Sequence, residues 1–135
     1  MNPSSILKSL SSFLVAIPAT VVAGGWHMPP APFDTLTPFG MITLESTGRE
    51  YFSGTSFIER FDVGLVVRCG ASGSVARAVE AELQTLSLAA LSIESPGRLV
   101  QCLGLGVTTS KSEDTFQGND IRDVVARYEL TIQVN

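Results

Sequence analysis

The stretch "FIERFDVGLVVRCGASGSVARAVEAELQTL", residues 57–86, passes from a two-residue alternation through a small-residue turn into a helical repeat. Over residues 55–69, Phe57, Phe61, Val63, Leu65, Val67 and Cys69 share one side, with Glu59 as the exception. Ile58, Arg60, Asp62, Gly64, Val66 and Arg68 share the other side. An extended chain sends successive side chains to opposite faces, so this is a long strand with one buried face. The period changes after "GASGS" (70–74): over 75–86, Val75, Val79, Leu83 and Leu86 form an inner stripe, with Arg77, Glu80 and Gln84 outside. Ser74 is placed to cap that helix. A Gly/Ser turn before a helix also has the outline of a phosphate cradle. This one lacks both the Lys-Ser/Thr ending of a P-loop and the full spacing of a dinucleotide fingerprint, and reads as a turn.

Downstream, residues 124–134 alternate cleanly: Val124, Ala126, Tyr128, Leu130, Ile132 and Val134 oppose Val125, Arg127, Glu129, Thr131 and Gln133. Residues 99–109 alternate loosely, with Leu99, Leu103, Leu105 and Val107 set against Val100, Cys102, Gly104 and Gly106. The two glycines imply close packing over that face or a bulge. Upstream, "FGMITLEST" (39–47) is a short strand closed by Gly48. Residues 24–38, "GGWHMPPAPFDTLTP", hold four prolines and two glycines and read as an extended arm, with Trp26 and Phe33 pinning it to this chain's core or to a neighbour.

The amino terminus supports two readings. Lys8, the apolar run 13–22 and the small residues before Gly24 have the layout of an exported leader. Alternatively Asn2 caps a helix, Pro3 takes its first position, and Ile6, Leu7, Leu10, Phe13, Leu14 and Ile17 recur at helical spacing opposite a serine-rich face. Such a segment has a polar face that a leader does not need, and Pro18 ends it well short of a membrane span. The packed helix is the preferred reading. The expected fold is α+β: an antiparallel four-stranded sheet with helices packed on one face, in the order α-β-β-α-β-β. It forms a single domain over 1–135, with helix 1–17, arm 24–38, and sheet with second helix 39–135.

At 135 residues with 44% hydrophobic content, the chain can bury a substantial core. The nine basic and thirteen acidic side chains leave a net charge of −4 and no basic stripe, which argues against a domain that grips nucleic acid by its phosphates. Cys69 and Cys102 lie in apolar segments and suit buried thiols, with a disulfide between neighbouring strands as the alternative. His27 is the one histidine and there is no Cys-x-x-Cys, so a structural zinc site lacks ligands. No serine sits in G-x-S-x-G, and no nucleophile–base pair can be assembled. The carboxylates Glu113, Asp114, Asp120 and Asp123 do not follow the spacing of a calcium loop. The residues point to a non-catalytic domain without cofactor or metal.

One segment remains. Residues 110–123 join the last two strands and carry Lys111 and Arg122 against Glu113, Asp114, Asp120 and Asp123, with Phe116 near the tip. An aromatic anchor inside a charged rim suits a partner surface; the same composition also suits a solvated hairpin.

The strand–turn–helix of 57–86 and the closing "GNDIRDVVARYELTIQV" (118–134), in which a Gly-Asn/Asp-Arg stretch enters an aromatic-containing final strand, together resemble the tail-terminator and minor-capsid (tail-completion) proteins of tailed bacteriophages. The proline-rich arm departs from their pattern. The resemblance implies a structural virion protein of the tail or neck, assembled in the host cytoplasm. It would form a homohexameric ring on the last ring of the tail tube protein, end tube growth and receive the head–tail connector. DNA would pass through its lumen without specific binding. The implied contacts between subunits or rings fall on the arm, at Trp26 and Phe33, and on the hairpin, at Lys111, Glu113, Asp114, Phe116, Asp120 and Arg122. The contrasting readings are an exported small domain with a joined Cys69–Cys102 pair, a carboxylate site around Asp114 and Asp120, and another neck or tail-tube subunit.

Overall fold

The computed structural model describes residues 3–16, 25–28, 38–70, 73–93, 97–116 and 119–135, with the backbone alone over 111–116 and 119–121. The elements are α1 (Pro3–Ala16), β1 (Trp26–His27), β2 (Phe39–Ser53), β3 (Ser56–Arg68), α2 (Gly73–Thr85), β4 (Gly97–Phe116) and β5 (Asn119–Val134). The class is α+β, as expected.

The sheet differs from the expectation. It has five strands in the order β1-β2-β3-β5-β4, and β1 runs parallel to β2, with Trp26 level with Gly40 and His27 with Met41. The other neighbours are antiparallel. A two-residue strand inside a proline-rich arm has no alternation to betray it. Backbone geometry forms it instead: Gly25 takes φ 76° and its carbonyl accepts a hydrogen bond from the Gly40 amide at 2.9 Å. Trp26 then lies across Gly40, where a β-carbon would collide with the indole ring. Gly40→Val therefore displaces the protein's one tryptophan and costs about 1–3 kcal/mol. A red shift in tryptophan emission, together with a lower melting temperature, checks both effects.

Two strands outrun their expected ends. β2 continues through Gly48 to Ser53, because the register slips between Ser46 and Gly48 and again between Tyr51 and Ser53. Gly48 thus marks a bulge and not a terminus. β4 and β5 continue through what the sequence presents as a loop over 110–123. Lys111 pairs with Arg122, Ser112 with Ile121, Thr115 with Asp120 and Phe116 with Asn119. Ladder pairing uses backbone groups, so a run of charged side chains does not prevent it.

The core is one contiguous cluster on one face of the sheet. Phe61, Val63, Leu65 and Val67 of β3 meet Val124, Ala126, Leu130 and Ile132 of β5. Ile6, Leu10 and Leu14 of α1 and Ala76 and Leu83 of α2 join the same cluster, so both helices cover that face. The opposite face carries Met41, Thr43, Glu45, Arg60, Asp62, Val66, Arg127 and Glu129 and has no helix over it among the described residues.

The loose alternation of β4 misleads about its faces. Bulges between Leu99 and Gln101 and between Gly104 and Gly106 reset the register twice. Leu99, Cys102 and Val107 pack on the core, whereas Leu103 and Leu105 are exposed. Each inserted residue sends the rest of the strand to the other face.

Candidate assembly surfaces

Glu59, the acid on the buried side of β3, has partners that explain it. It is buried and accepts hydrogen bonds from Ser46 Oγ at 2.7 Å and from Arg49 Nη2 at 2.8 Å. The Arg49 guanidinium also lies 4.1 Å above the Phe57 ring, and Tyr51 leans on Phe57 with ring centroids 5.3 Å apart. Arg49, Tyr51 and Phe57 thus close the end of the core beside the β2–β3 turn with an ion pair and a cation–π contact. Tyr51 itself remains 59% exposed, and its neighbour Phe52 is exposed as well.

The β4–β5 hairpin projects from the other end of the sheet. Arg68 and Asp123 form the last pair between β3 and β5, so residues 119–122 of β5 run on beyond β3. At about 3.3 Å per residue the hairpin extends roughly 13 Å past it. Its base is fixed: Arg68 Nε and Nη2 donate to the two Asp123 carboxylate oxygens at 3.1 and 3.3 Å. The Cys69 amide donates to the Arg122 carbonyl and the Arg122 amide to the Gly70 carbonyl.

Of the residues that the sequence marks for contact, Trp26 is half-buried and packs on this chain's own core. Arg122 is exposed, and its guanidinium lies against the backbone of Gly73 at the start of α2. Phe33 lies outside the described residues, as do the side chains of Lys111, Glu113, Asp114, Phe116 and Asp120. Their backbones occupy the projecting hairpin.

Cys69 and Cys102 are both free. Cys102 is level with Leu130, which is level with Phe61, eight residues along β3 from Cys69. That places the two sulfurs roughly 26 Å apart along the strand direction, far beyond disulfide reach. The disulfide alternative fails because Cys69 follows the end of β3 while Cys102 is level with Phe61, well back along the sheet. Burial, with a contribution from the Asp123 carboxylate, pushes the Cys69 thiol up to about 11. The thiol stays protonated and unreactive at neutral pH. A maleimide at pH 7.5 labels the half-buried Cys102 first, and Cys69 only when denaturant opens the core. Mass spectrometry counts the adducts.

Among the described residues no three His, Cys, Asp or Glu side chains gather as metal ligands. His27 stands edge-on to Phe39, with centroids 6.2 Å apart. On the open face Glu45, Asp62 and Glu129 stand level on β2, β3 and β5, with Arg60 and Arg127 on adjoining rows. The alternation assigns these residues to one face. Their alignment, in contrast, depends on register. The exposed apolar residues Tyr51, Phe52, Val100, Leu103 and Leu105 escape the sequence reading because bulges set their direction.

No protein-family model matches the chain, and no curated protein does. Its fold is similar to that of a chain in a solved structure described as the virion of a native gene transfer agent (GTA) particle. The TM-score is 0.61 at 17% identity, over 96% of this chain and 92% of that one.

Proposed function

We propose that this chain is a structural virion protein that assembles with copies of itself into a ring at the end of a phage tail tube. There it would end tube growth and form the surface that the head–tail connector meets. The observation that carries this reading is the likeness of fold, over nearly the whole of both chains, to a component of a gene transfer agent virion. The sequence order of strand, turn, helix and closing hairpin supports the terminator role in particular. The projecting hairpin, with Lys111, Glu113, Asp114, Phe116, Asp120 and Arg122, and the arm with Trp26 and Phe33 are its proposed contacts. The role is structural and not catalytic.

The open face fits a wall past which DNA slides. Its carboxylates and arginines alternate in rows and form no basic stripe, so it has no means to hold a run of phosphates. The same fold also suits a tail-tube subunit. Negative-stain microscopy and native mass spectrometry of the purified chain separate the two. A closed six-fold species that does not stack supports the terminator reading. Open-ended tubes built from the chain alone would replace it with a tube subunit. A protein with no self-association at any concentration, even with purified tail tubes added, would remove both.

A further inference from the structure

Among the described residues, the sheet ends in two edges with little or no strand beside them. β1 covers only Gly40 and Met41, so the outer side of β2 over residues 42–53 pairs with nothing among the described residues. The outer side of β4 is likewise unpaired there. Edge strands are normally blunted by charged side chains, lysine above all, or by proline. β4 has neither over residues 99–110, twelve consecutive positions without a charge. It instead exposes Val100, Leu103 and Leu105. On the other edge, Phe52 falls where the register slips near the end of β2 and is also exposed.

The strand directions are complementary. β2 is antiparallel to β3, β3 to β5 and β5 to β4, so β2 and β4 point in opposite directions at opposite edges. A copy rotated about an axis along the strands brings its β2 antiparallel beside the first copy's β4. Each contact uses two different surfaces of the chain, leaves one free edge of each kind, and closes when the rotation closes. A β4–β4 contact would instead be two-fold and would leave every β2 edge bare. From these two edges we infer that the partner of β4 is β2 of a second copy of this chain, joined by strand addition. This deepens the proposed ring and rests on that reading for closure only.

Two variants test it in combination. Leu103→Asp with Leu105→Asp blocks the β4 edge, and Thr47→Asp with Phe52→Asp blocks the β2 edge. All four residues are exposed, so circular dichroism melts of both variants should stay near wild type. Each variant alone should be monomeric in native mass spectra, with self-association weakened roughly a hundredfold. Mixed one to one, they should form a heterodimer and nothing larger, since one intact edge of each kind remains. A β2-blocked variant that still dimerises shows a β4–β4 contact and overturns the inference. So do variants that each assemble like wild type, or a mixture that stays monomeric. If the heterodimer forms but wild type grows into open-ended chains, the edge pairing stands and the ring falls.

Discussion

Leu10→Asp abolishes cooperative folding at 37 °C, and Leu10→Ala lowers stability by about 2–5 kcal/mol. Leu10 is fully buried between Ile6 and Leu14 on the inner stripe of α1, against the cluster formed by β3 and β5. A domain of this size has roughly 5–15 kcal/mol to lose. The alanine variant therefore melts early but cooperatively. The aspartate adds an unpaired buried charge to the same cavity, and nothing in an apolar stripe can neutralise it. Ser12→Asp, on the exposed side of the same helix, should change stability by less than about 0.5 kcal/mol. Thermal melts followed by far-UV circular dichroism compare the three. If Leu10→Asp melts like wild type, α1 is not part of the core.

This prediction rests on a feature that the sequence shows plainly. The stripe of Ile6, Leu10 and Leu14 is legible because a helix with one buried side must repeat its apolar residues every three or four positions. β3 and β5 are legible for the corresponding reason: one face is covered and the other is not, so Phe61, Val63 and Leu65 alternate with Arg60, Asp62 and Gly64. Such patterns report burial. They say nothing about the backbone pairing that builds β1, where Trp26 and His27 join the sheet without a pattern of their own. Bulges are silent for a related reason. Leu103 and Leu105 look like inward residues until the register slips between Leu99 and Gln101 and between Gly104 and Gly106. Glycines in a strand hint at such slips without saying which way the neighbours turn.

The surfaces proposed for assembly were the hardest to see in the sequence. A core residue satisfies a partner within the chain, and the resulting periodicity is local. An edge that awaits another copy satisfies a partner outside it, and its only sign here is the missing charge over residues 99–110. The acid Glu59 is intermediate. It breaks the alternation of its own strand, but its explanation lies at Ser46 and Arg49 on β2. The Phe57 ring beneath Arg49 ties that ion pair to the packing at the end of the core.

Replacing residues 112–121 by an Asn-Gly turn between Lys111 and Arg122 should leave the domain folded and take away its assembly. The new turn suits the join, because Lys111 and Arg122 are already level across the hairpin and Asn-Gly fits a two-residue connection. The shortened chain keeps the anchors at the base, namely the Arg68–Asp123 ion pair and the backbone bonds of Arg122 to Cys69 and Gly70. It also keeps the buried core residues of the described chain, among them Phe61, Leu65, Val124, Leu130 and Ile132. Its melting temperature should therefore stay within about 4 °C of wild type. Self-association has a different basis. The removed segment lies on the part of the hairpin that runs on beyond β3, and its sequence holds Phe116 among the charged residues Glu113, Asp114 and Asp120. Losing an aromatic anchor and its rim weakens association by roughly a hundredfold or more. Native mass spectra across a concentration series read this directly. Assembly unchanged from wild type would show that the hairpin is not a contact between copies. A melting temperature far below wild type would show instead that the hairpin supports the fold, and Phe116→Ala would then be expected to lower stability before it lowers assembly.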